Sequence, residues 1–164
     1  MESLLADLEI LKLAMATELE GRNLYRRLAE RATHPEAHRL LQDMADEEPI
    51  HLNVIEELYR KLRSQRYGLE ADFPIFKGLP EEKSGIRAMP TLEEILRVAG
   101  EPADEASAFR AAILIERRAL ETYQDLLPRA QDSQAAELLR WLIQEETQHR
   151  GDLERQRDER GVER

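Results

Sequence analysis

Two copies of the pattern Glu-x-x-His carry the clearest chemical signal in this sequence. The first runs from Glu48 to His51 and the second from Glu146 to His149. On a helix, a spacing of three sets the carboxylate and the imidazole on one face, about a turn apart. Carboxylate oxygens and imidazole nitrogens together are good ligands for first-row transition metals. The pattern therefore predicts metal ligation from two helices.

Two further glutamates accompany these motifs at a constant spacing. Glu18 precedes Glu48 by 30 residues, and Glu116 precedes Glu146 by the same 30. The midpoint of each interval falls at a predicted turn. Antiparallel helices that rise about 1.5 Å per residue then bring each glutamate level with its partner motif. The predicted metal ligands are Glu18, Glu48, His51, Glu116, Glu146 and His149.

The two halves of the sequence repeat each other at an offset of 98 residues, without a gap. The offset relates all six predicted ligands, and it also matches Tyr25 with Tyr123 and Leu28 with Leu126. A chance helical pattern would match apolar residues, but it would not match every glutamate and histidine. The repeat therefore favours a single site to which each half contributes the same set of ligands.

The predicted ligands lie on apolar helix faces. Glu18 follows Met15 by three residues, and Glu146 follows Leu142 by four. Four buried carboxylates without partners would be very unfavourable and would take up protons. Two divalent cations neutralise four carboxylates, and two neutral imidazoles complete a balanced site. The alternative is a set of solvated glutamates, which is the usual situation for any single helical glutamate.

Oxygen-rich ligation with two imidazoles favours iron or manganese over structural zinc, which prefers tetrahedral Cys and His sites. One glutamate from each of two helices, with Glu-x-x-His from two others, is the ligand set of di-iron carboxylate bundles. The expected cofactors are therefore two iron ions, Fe2+ or Fe3+. Manganese or zinc could replace them.

Two tyrosines extend the pattern beyond the ligands. Tyr25 and Tyr123 lie seven residues after Glu18 and Glu116, two helical turns along the same face. They are either ordinary core tyrosines or phenols that hydrogen-bond a ligand carboxylate across the bundle and fix its orientation.

Four other residues could have a functional role. Pro49 lies inside the first motif and should kink its helix, either as a tolerated kink or as an adjustment that opens access to the metal. His34 and His38 have metal-ligand spacing but lie at the first predicted turn, so we expect a surface role. Trp141 is predicted to pack in the core or at an interface.

Apolar residues at steps of three and four predict an all-α fold with two antiparallel helix pairs. A connection over about 67–101, punctuated by proline and glycine, joins the pairs. Within it, Thr91 and Glu94 form the capping box of a short helix that ends before Gly100. One long crossover of this kind is the connectivity of ferritin-like bundles. The four long helices are predicted at about 4–32, 35–66 and 102–127, with the last starting after Asp132 or Ser133 and continuing to about 157.

Composition excludes several classes of function. With 164 residues, we expect a single domain over 1–164, with a charged, solvated tail at about 155–164. A net charge of −10 argues against nucleic-acid binding. No apolar run approaches the roughly 20 residues of a membrane span. The absence of cysteine excludes disulfides and thiolate metal sites and fits a cytoplasmic location.

Together these motifs resemble the rubrerythrin-type members of the ferritin-like superfamily over essentially the whole chain. The resemblance implies a ferritin-like four-helix bundle around a non-haem di-iron centre, which is itself the catalytic group. It further implies that Fe(II) is oxidised to Fe(III) while hydrogen peroxide or dioxygen is reduced. A homodimer is also expected from the resemblance.

Two departures from that family pattern affect the expected chemistry. Rubrerythrins proper carry a rubredoxin domain with four iron-binding cysteines, and this sequence has no cysteine. They also carry an extra carboxylate one turn after the third-helix glutamate, where this chain has Ala119, mirrored by Gly21. The site then resembles a bacterioferritin ferroxidase centre, and turnover would need a separate electron donor. The alternatives are iron binding or storage, and a metal-stabilised structural bundle without turnover.

Overall fold

The structure is a computed structural model that describes residues 2–67 and 89–162. Most of these residues are helical, and no strand occurs among them. The predicted all-α fold is confirmed. The first part of the predicted 67–101 connection, including its Phe73-Pro74 and Gly78-Leu79-Pro80 signals, lies outside the described residues. The helices are α1 (Glu2–Arg31), α2 (Pro35–Tyr67), α3 (Leu92–Ala99), α4 (Glu105–Leu126) and α5 (Ser133–Glu159).

Two helical hairpins build a ferritin-like bundle. α1 packs chiefly against α2 and α4 chiefly against α5, while the hairpins meet mainly through the contacts of α4 with α1 and α2. The turn between α1 and α2 spans three residues, and a 3-10 turn at Leu127–Arg129 precedes α5. Short turns of this kind force each pair to run antiparallel. The predicted apolar stripes form the core, which includes Leu11, Met15, Leu28, Leu41, Ile55, Leu139 and Leu142.

Capping side chains set the helix starts. α4 begins at Glu105, three residues after the predicted start near Pro102. Asp104 determines this boundary because its carboxylate accepts the Ser107 N–H at 2.9 Å. Similarly, the Asp132 carboxylate accepts the N–H groups of Gln134 at 2.8 Å and Ala135 at 3.1 Å.

The short helix α3 has the predicted capping box. The Thr91 hydroxyl accepts the Glu94 N–H at 3.2 Å, and the Glu94 carboxylate accepts the Thr91 N–H at 2.8 Å. Gly100 follows α3 with a φ of 84°, a conformation that favours glycine and ends the helix. Helix α3 contacts α4, so the end of the crossover is attached to the second hairpin.

Two predicted irregularities do not interrupt the helices. α2 continues through Pro49 to Tyr67. α5 continues to Glu159, so the first residues of the predicted charged tail are helical, and Val162 packs partly against the core. Among the described helices, none has an apolar stretch long enough to cross a lipid bilayer.

A buried carboxylate on α1 holds the turn between α4 and α5. Asp7 is 1% exposed, and its two oxygens accept the N–H groups of Gln131 at 2.8 Å and Asp132 at 3.0 Å. Backbone donors before a helix commonly lack partners within their own element. Asp7 supplies those partners and ties the second hairpin to α1.

We expect Asp7→Ala to lower the free energy of unfolding by about 1–3 kcal/mol, because two backbone N–H groups lose their buried acceptor. Urea unfolding followed by circular dichroism measures the change. Glu9→Ala is the matched control, since Glu9 is an exposed carboxylate on the same helix. Equal unfolding midpoints for the two variants would show that the Asp7 contacts contribute nothing to stability.

Candidate metal centre

The structure brings all six predicted ligands together inside the bundle as two triads. Within each triad the candidate ligand atoms all lie within 4.8 Å of one another. α1 and α2 supply the first triad, and α4 and α5 supply the second. The first triad is Glu18, Glu48 and His51, and the second is Glu116, Glu146 and His149.

Burial of the carboxylates is nearly complete. The exposed fractions are 2% for Glu18, 8% for Glu48, 1% for Glu116 and 2% for Glu146. Each of the four long helices contributes one of these glutamates, as the repeat predicts. Four ionisable groups at this depth require compensating charge, because isolated buried carboxylates are strongly destabilising.

Contacts across the bundle join the two triads. The Nδ1 atom of His51 lies 3.2 Å from Glu18 and 3.2 Å from Glu146. The other oxygen of Glu146 lies 3.7 Å from Nδ1 of His149. The two imidazole rings stack with centroids 5.2 Å apart and an interplanar angle of 13°. Glu146 therefore lies between the two histidines and, although it is a member of the second triad, also contacts the first.

The two tyrosines connect the hairpins reciprocally. Tyr25 on α1 donates its hydroxyl hydrogen bond to Glu116 on α4, and its hydroxyl also lies 3.3 Å from the Ala112 carbonyl oxygen. Tyr123 on α4 donates to Glu18 on α1. Both phenols are fully buried. Each hairpin thus fixes one carboxylate oxygen of the other hairpin's glutamate and leaves the second oxygen facing the site.

Two carboxylate oxygens in the site remain without a hydrogen bond. These are Oε2 of Glu116 and Oε1 of Glu146, both buried. Nδ1 of His149 lies 3.5 Å from the first oxygen and Nδ1 of His51 lies 3.2 Å from the second, in both cases without the geometry of a hydrogen bond. Buried polar atoms almost always have partners, so exceptions of this kind call for an explanation such as an ion. Oxygen donors with free lone pairs, beside two imidazole nitrogens, fit a pair of divalent transition-metal ions.

Protons take the place of cations on part of this cluster when no metal is bound. Burial, followed by the charge of Glu18, raises the pKa of Glu48 well above its ordinary value. Burial and the charge of Glu146 do the same for the pKa of Glu116. Both shifts show that these carboxyl groups need a positive partner before they can ionise.

The pKa values of the two histidines and of Glu146 shift in the direction that favours their charged forms. Burial alone would lower the pKa of His51, but contacts with Glu146 and Glu18 outweigh it and raise the pKa to about 10. Contacts with Glu116 and Glu146 raise the pKa of His149 to about 11 against the effect of burial. Burial would raise the pKa of Glu146, but both histidines hold it well below its ordinary value.

A side chain at Gly21, the position on α1 that mirrors Ala119, would be crowded by its neighbours. A Cβ atom at Gly21 would lie 3.2 Å from the methyl carbon of Met89 and 3.4 Å from a carboxylate oxygen of Glu48. Met89, from the end of the crossover, is 6% exposed. It fills the space beside Gly21, whereas the mirrored position on α4 is the buried side chain of Ala119.

Three side chains beside the histidines were not among the predicted site residues. Glu47 approaches Nε2 of His149 at 3.7 Å, and a carboxylate oxygen of Glu145 lies within 4.8 Å of both histidines. Glu47 and Glu145 are themselves related by the 98-residue offset, a signal that could have identified them. Trp141, predicted as a packing residue, is half-buried with its ring edge-on to His51.

The histidines at the first turn have other contacts. Nδ1 of His38 lies 2.9 Å from the Ala29 carbonyl oxygen, and Nδ1 of His34 lies 2.9 Å from Glu36. Both side chains are exposed, as expected. The two alternatives for Pro49, a tolerated kink or an opening toward the metal, stay predictions.

Comparison with known proteins agrees with this architecture. A family model described as Rubrerythrin matches residues 9–157. A solved structure of a hypothetical protein from Pyrococcus furiosus aligns with a TM-score of 0.56 and 24% identity, covering 93% of this chain and 88% of that chain. The structural likeness supports the bundle fold alone. No curated protein matches the chain.

We expect the metal-free protein to lose stability as the pH rises from about 6.5 towards about 10. The pKa values of about 10 for His51 and about 11 for His149 exceed the ordinary value of 6.5, so the folded state binds more protons than the unfolded state. The stabilisation that the two protonated histidines provide is complete below pH 6.5. It is lost as the pH rises through their pKa values in the folded state. The raised pKa values of Glu48 and Glu116 also make the folded state less stable as the pH rises, and this effect begins at a lower pH than that of the histidines.

Urea unfolding in a metal chelator, repeated across this pH range, measures the effect. The His34→Asn variant is the control, because His34 is exposed and should leave the slope unchanged. Stability that stays flat or increases over this range would contradict the charge balance described for the cluster.

Tyr25→Phe should weaken metal binding on the order of 10–100-fold, the usual range for losing a hydrogen-bond partner of a ligand. Glu116 would lose the donor that orients one of its oxygens. Competition with a chromophoric chelator measures the affinity, with Tyr59→Phe as the control at a buried tyrosine elsewhere on α2. Unchanged affinity would mean that Tyr25 is an ordinary core residue.

Proposed function

The chain belongs to the rubrerythrin family, and on this premise we propose that it is a non-haem di-iron oxidoreductase. Its reaction couples the oxidation of Fe(II) to the reduction of hydrogen peroxide or dioxygen. The observation that carries the proposal is the cluster of four buried carboxylates and two imidazoles, in which two carboxylate oxygens have no hydrogen bond. Such a donor set needs cations, and its oxygen-rich character suits iron.

The two triads would each hold one iron ion. Glu18 and His51 belong to one position, while Glu116 and His149 belong to the other. Glu146 lies within 3.7 Å of both histidines, so it is suited to bridging the positions. Glu48 is its counterpart in the repeat and has Glu18, Glu116 and Glu146 as charged neighbours. Manganese or zinc could bind the same donors.

When bound, the iron pair supplies two electrons at one place, which is what the reduction of one peroxide to two waters requires. The chain's own residues prepare the site for this reaction. Tyr25 and Tyr123 hold the carboxylates of Glu116 and Glu18 in fixed orientations, so little rearrangement is needed when charge develops. Burial keeps water away from the reacting atoms.

The phenols also remain protonated at neutral pH. Burial and the charge of Glu116 raise the pKa of Tyr25 well above its ordinary value, and burial with Glu18 does so for Tyr123. Each hydroxyl therefore stays a hydrogen-bond donor to a ligand carboxylate. Peroxide reduction consumes two protons in addition to two electrons, and these protons must come from solvent.

Repeated turnover would require an external electron donor, because these 164 residues contain no cysteine to hold an iron–sulfur group. Peroxide or dioxygen and this donor are the proposed partners. The homodimer expected from the resemblance stays a prediction. The alternative functions are iron storage and a purely structural role for the metal.

Glu48→Ala and Glu146→Ala should each abolish paired metal binding, because each removes a carboxylate that faces both triads. Anaerobic titration with Fe(II), followed by rapid mixing with peroxide or with dioxygen, measures both stoichiometry and oxidation. We expect about two irons per wild-type chain and oxidation well above the buffer rate. Glu57→Ala is the matched control, since Glu57 is an exposed glutamate on the same helix as Glu48.

The possible results separate the three functions. Retention of hundreds of irons would indicate storage. Two bound irons with no oxidation beyond the buffer rate would leave a structural metal site and reject the oxidoreductase. Tight binding of two ions by either alanine variant would show that the ligand assignment is wrong.

A further inference from the structure

One aromatic side chain breaks the two-fold repeat of the site. The ligands and both tyrosines have identical counterparts at the 98-residue offset, but the counterpart of Trp141 is Asp43. Asp43 is exposed, whereas Trp141 is half-buried and packs against the core. Trp141 is also the single tryptophan of the chain. The internal repeat therefore gives no reason for a tryptophan at position 141.

Trp141 lies directly against a candidate ligand. Its ring meets the His51 ring edge-on, with centroids 5.4 Å apart and an interplanar angle of 85°. His51 also stacks on His149, with ring centroids 5.2 Å apart. Because His51 is buried and Trp141 is partly exposed, the indole provides an aromatic connection between the surface of α5 and the two histidines.

An oxidoreductase site buried this deeply needs a route for electrons as well as for the oxidant. Hydrogen peroxide and dioxygen are small enough to reach the centre themselves. A protein or other large donor stays outside the bundle, and electron tunnelling weakens steeply with distance and is aided by close contacts between conjugated rings. On the basis of the proposed function, we propose that Trp141 is the bridge through which an external one-electron donor re-reduces the centre by way of His51.

The bridged step is a simple electron transfer. The donor loses one electron and is oxidised, while one Fe(III) gains it and becomes Fe(II). Trp141 and His51 are unchanged at the end, and two such events restore the di-ferrous pair. Trp141 thus acts only in the reductive half of the cycle, so its replacement should leave the oxidation of Fe(II) intact.

The test compares the two halves of the cycle in iron-loaded protein. The di-ferric protein is mixed in a stopped-flow instrument with methyl viologen radical cation, an outer-sphere donor whose colour is lost on oxidation. We expect Trp141→Leu to slow re-reduction severalfold, because the aromatic contact with His51 is lost. Trp141→Phe, which keeps an aromatic ring at the position, should recover most of the rate.

Two controls separate bridging from packing. Ile143→Ala removes apolar volume from another half-buried position of α5 and should be re-reduced at the wild-type rate. Iron content and the rate of Fe(II) oxidation by peroxide should match the wild type in all variants. Wild-type re-reduction of Trp141→Leu, or equal slowing in Ile143→Ala, would overturn the bridge while leaving the proposed function intact.

A second readout does not depend on turnover. Trp141 is the only tryptophan, so its fluorescence reports directly on the neighbouring site. Anaerobic titration with Co2+ should quench that fluorescence up to about two ions per chain, whereas Zn2+ should not. Binding of Co2+ without quenching would show that Trp141 is not coupled to the centre. A wild-type protein that binds two irons but does not oxidise Fe(II) would reject the proposed function, and the bridge with it.

Discussion

The structure depends on how four buried carboxylates are neutralised inside a bundle that is otherwise filled by leucine, isoleucine and alanine. Moving a carboxylate from water into a protein interior costs on the order of several kcal/mol even after relaxation. The described core offers two imidazoles and two phenols as partners for them. Raised pKa values at Glu48 and Glu116 show that these partners do not suffice, and that protons or cations must supply the rest. Under the proposed function, metal binding and folding would therefore be coupled, because a bound cation would stabilise the packed state in which the carboxylates face each other.

The same constraint explains why neither hairpin can form the site alone. Tyr25 satisfies a glutamate of the second hairpin, and Tyr123 satisfies a glutamate of the first. His51 in turn contacts Glu146 on α5. A separate hairpin would expose its glutamates to water and leave its tyrosine without an acceptor. Association of the hairpins thus creates the environment that makes a metal pair favourable, and Asp7 strengthens that association at the far turn.

Periodicity and the internal repeat could predict which six side chains converge, because both depend on positions along single helices. An offset of 98 residues and an apolar face are visible in the sequence. The start of α4 was predicted too early because the cap at Asp104, rather than Pro102, ends the preceding connection. Trp141 could not be placed beside His51, since that contact depends on how α5 crosses α2. Met89 likewise comes from a connection that has no periodicity, so nothing in the sequence predicted that it fills the space beside Gly21.

Symmetry of the ligands does not make the two halves of the centre equivalent. The His51 side chain is 5% exposed, whereas that of His149 is 20% exposed. His51 has an indole edge beside it, while His149 has the exposed carboxylate of Glu47. A negative charge and nearby water favour the more highly charged form of a bound ion, and an apolar neighbour disfavours it. Two ions held by identical donors would therefore differ in affinity and reduction potential. The sequence repeat defines the donors, and the residues that depart from the repeat distinguish the two positions.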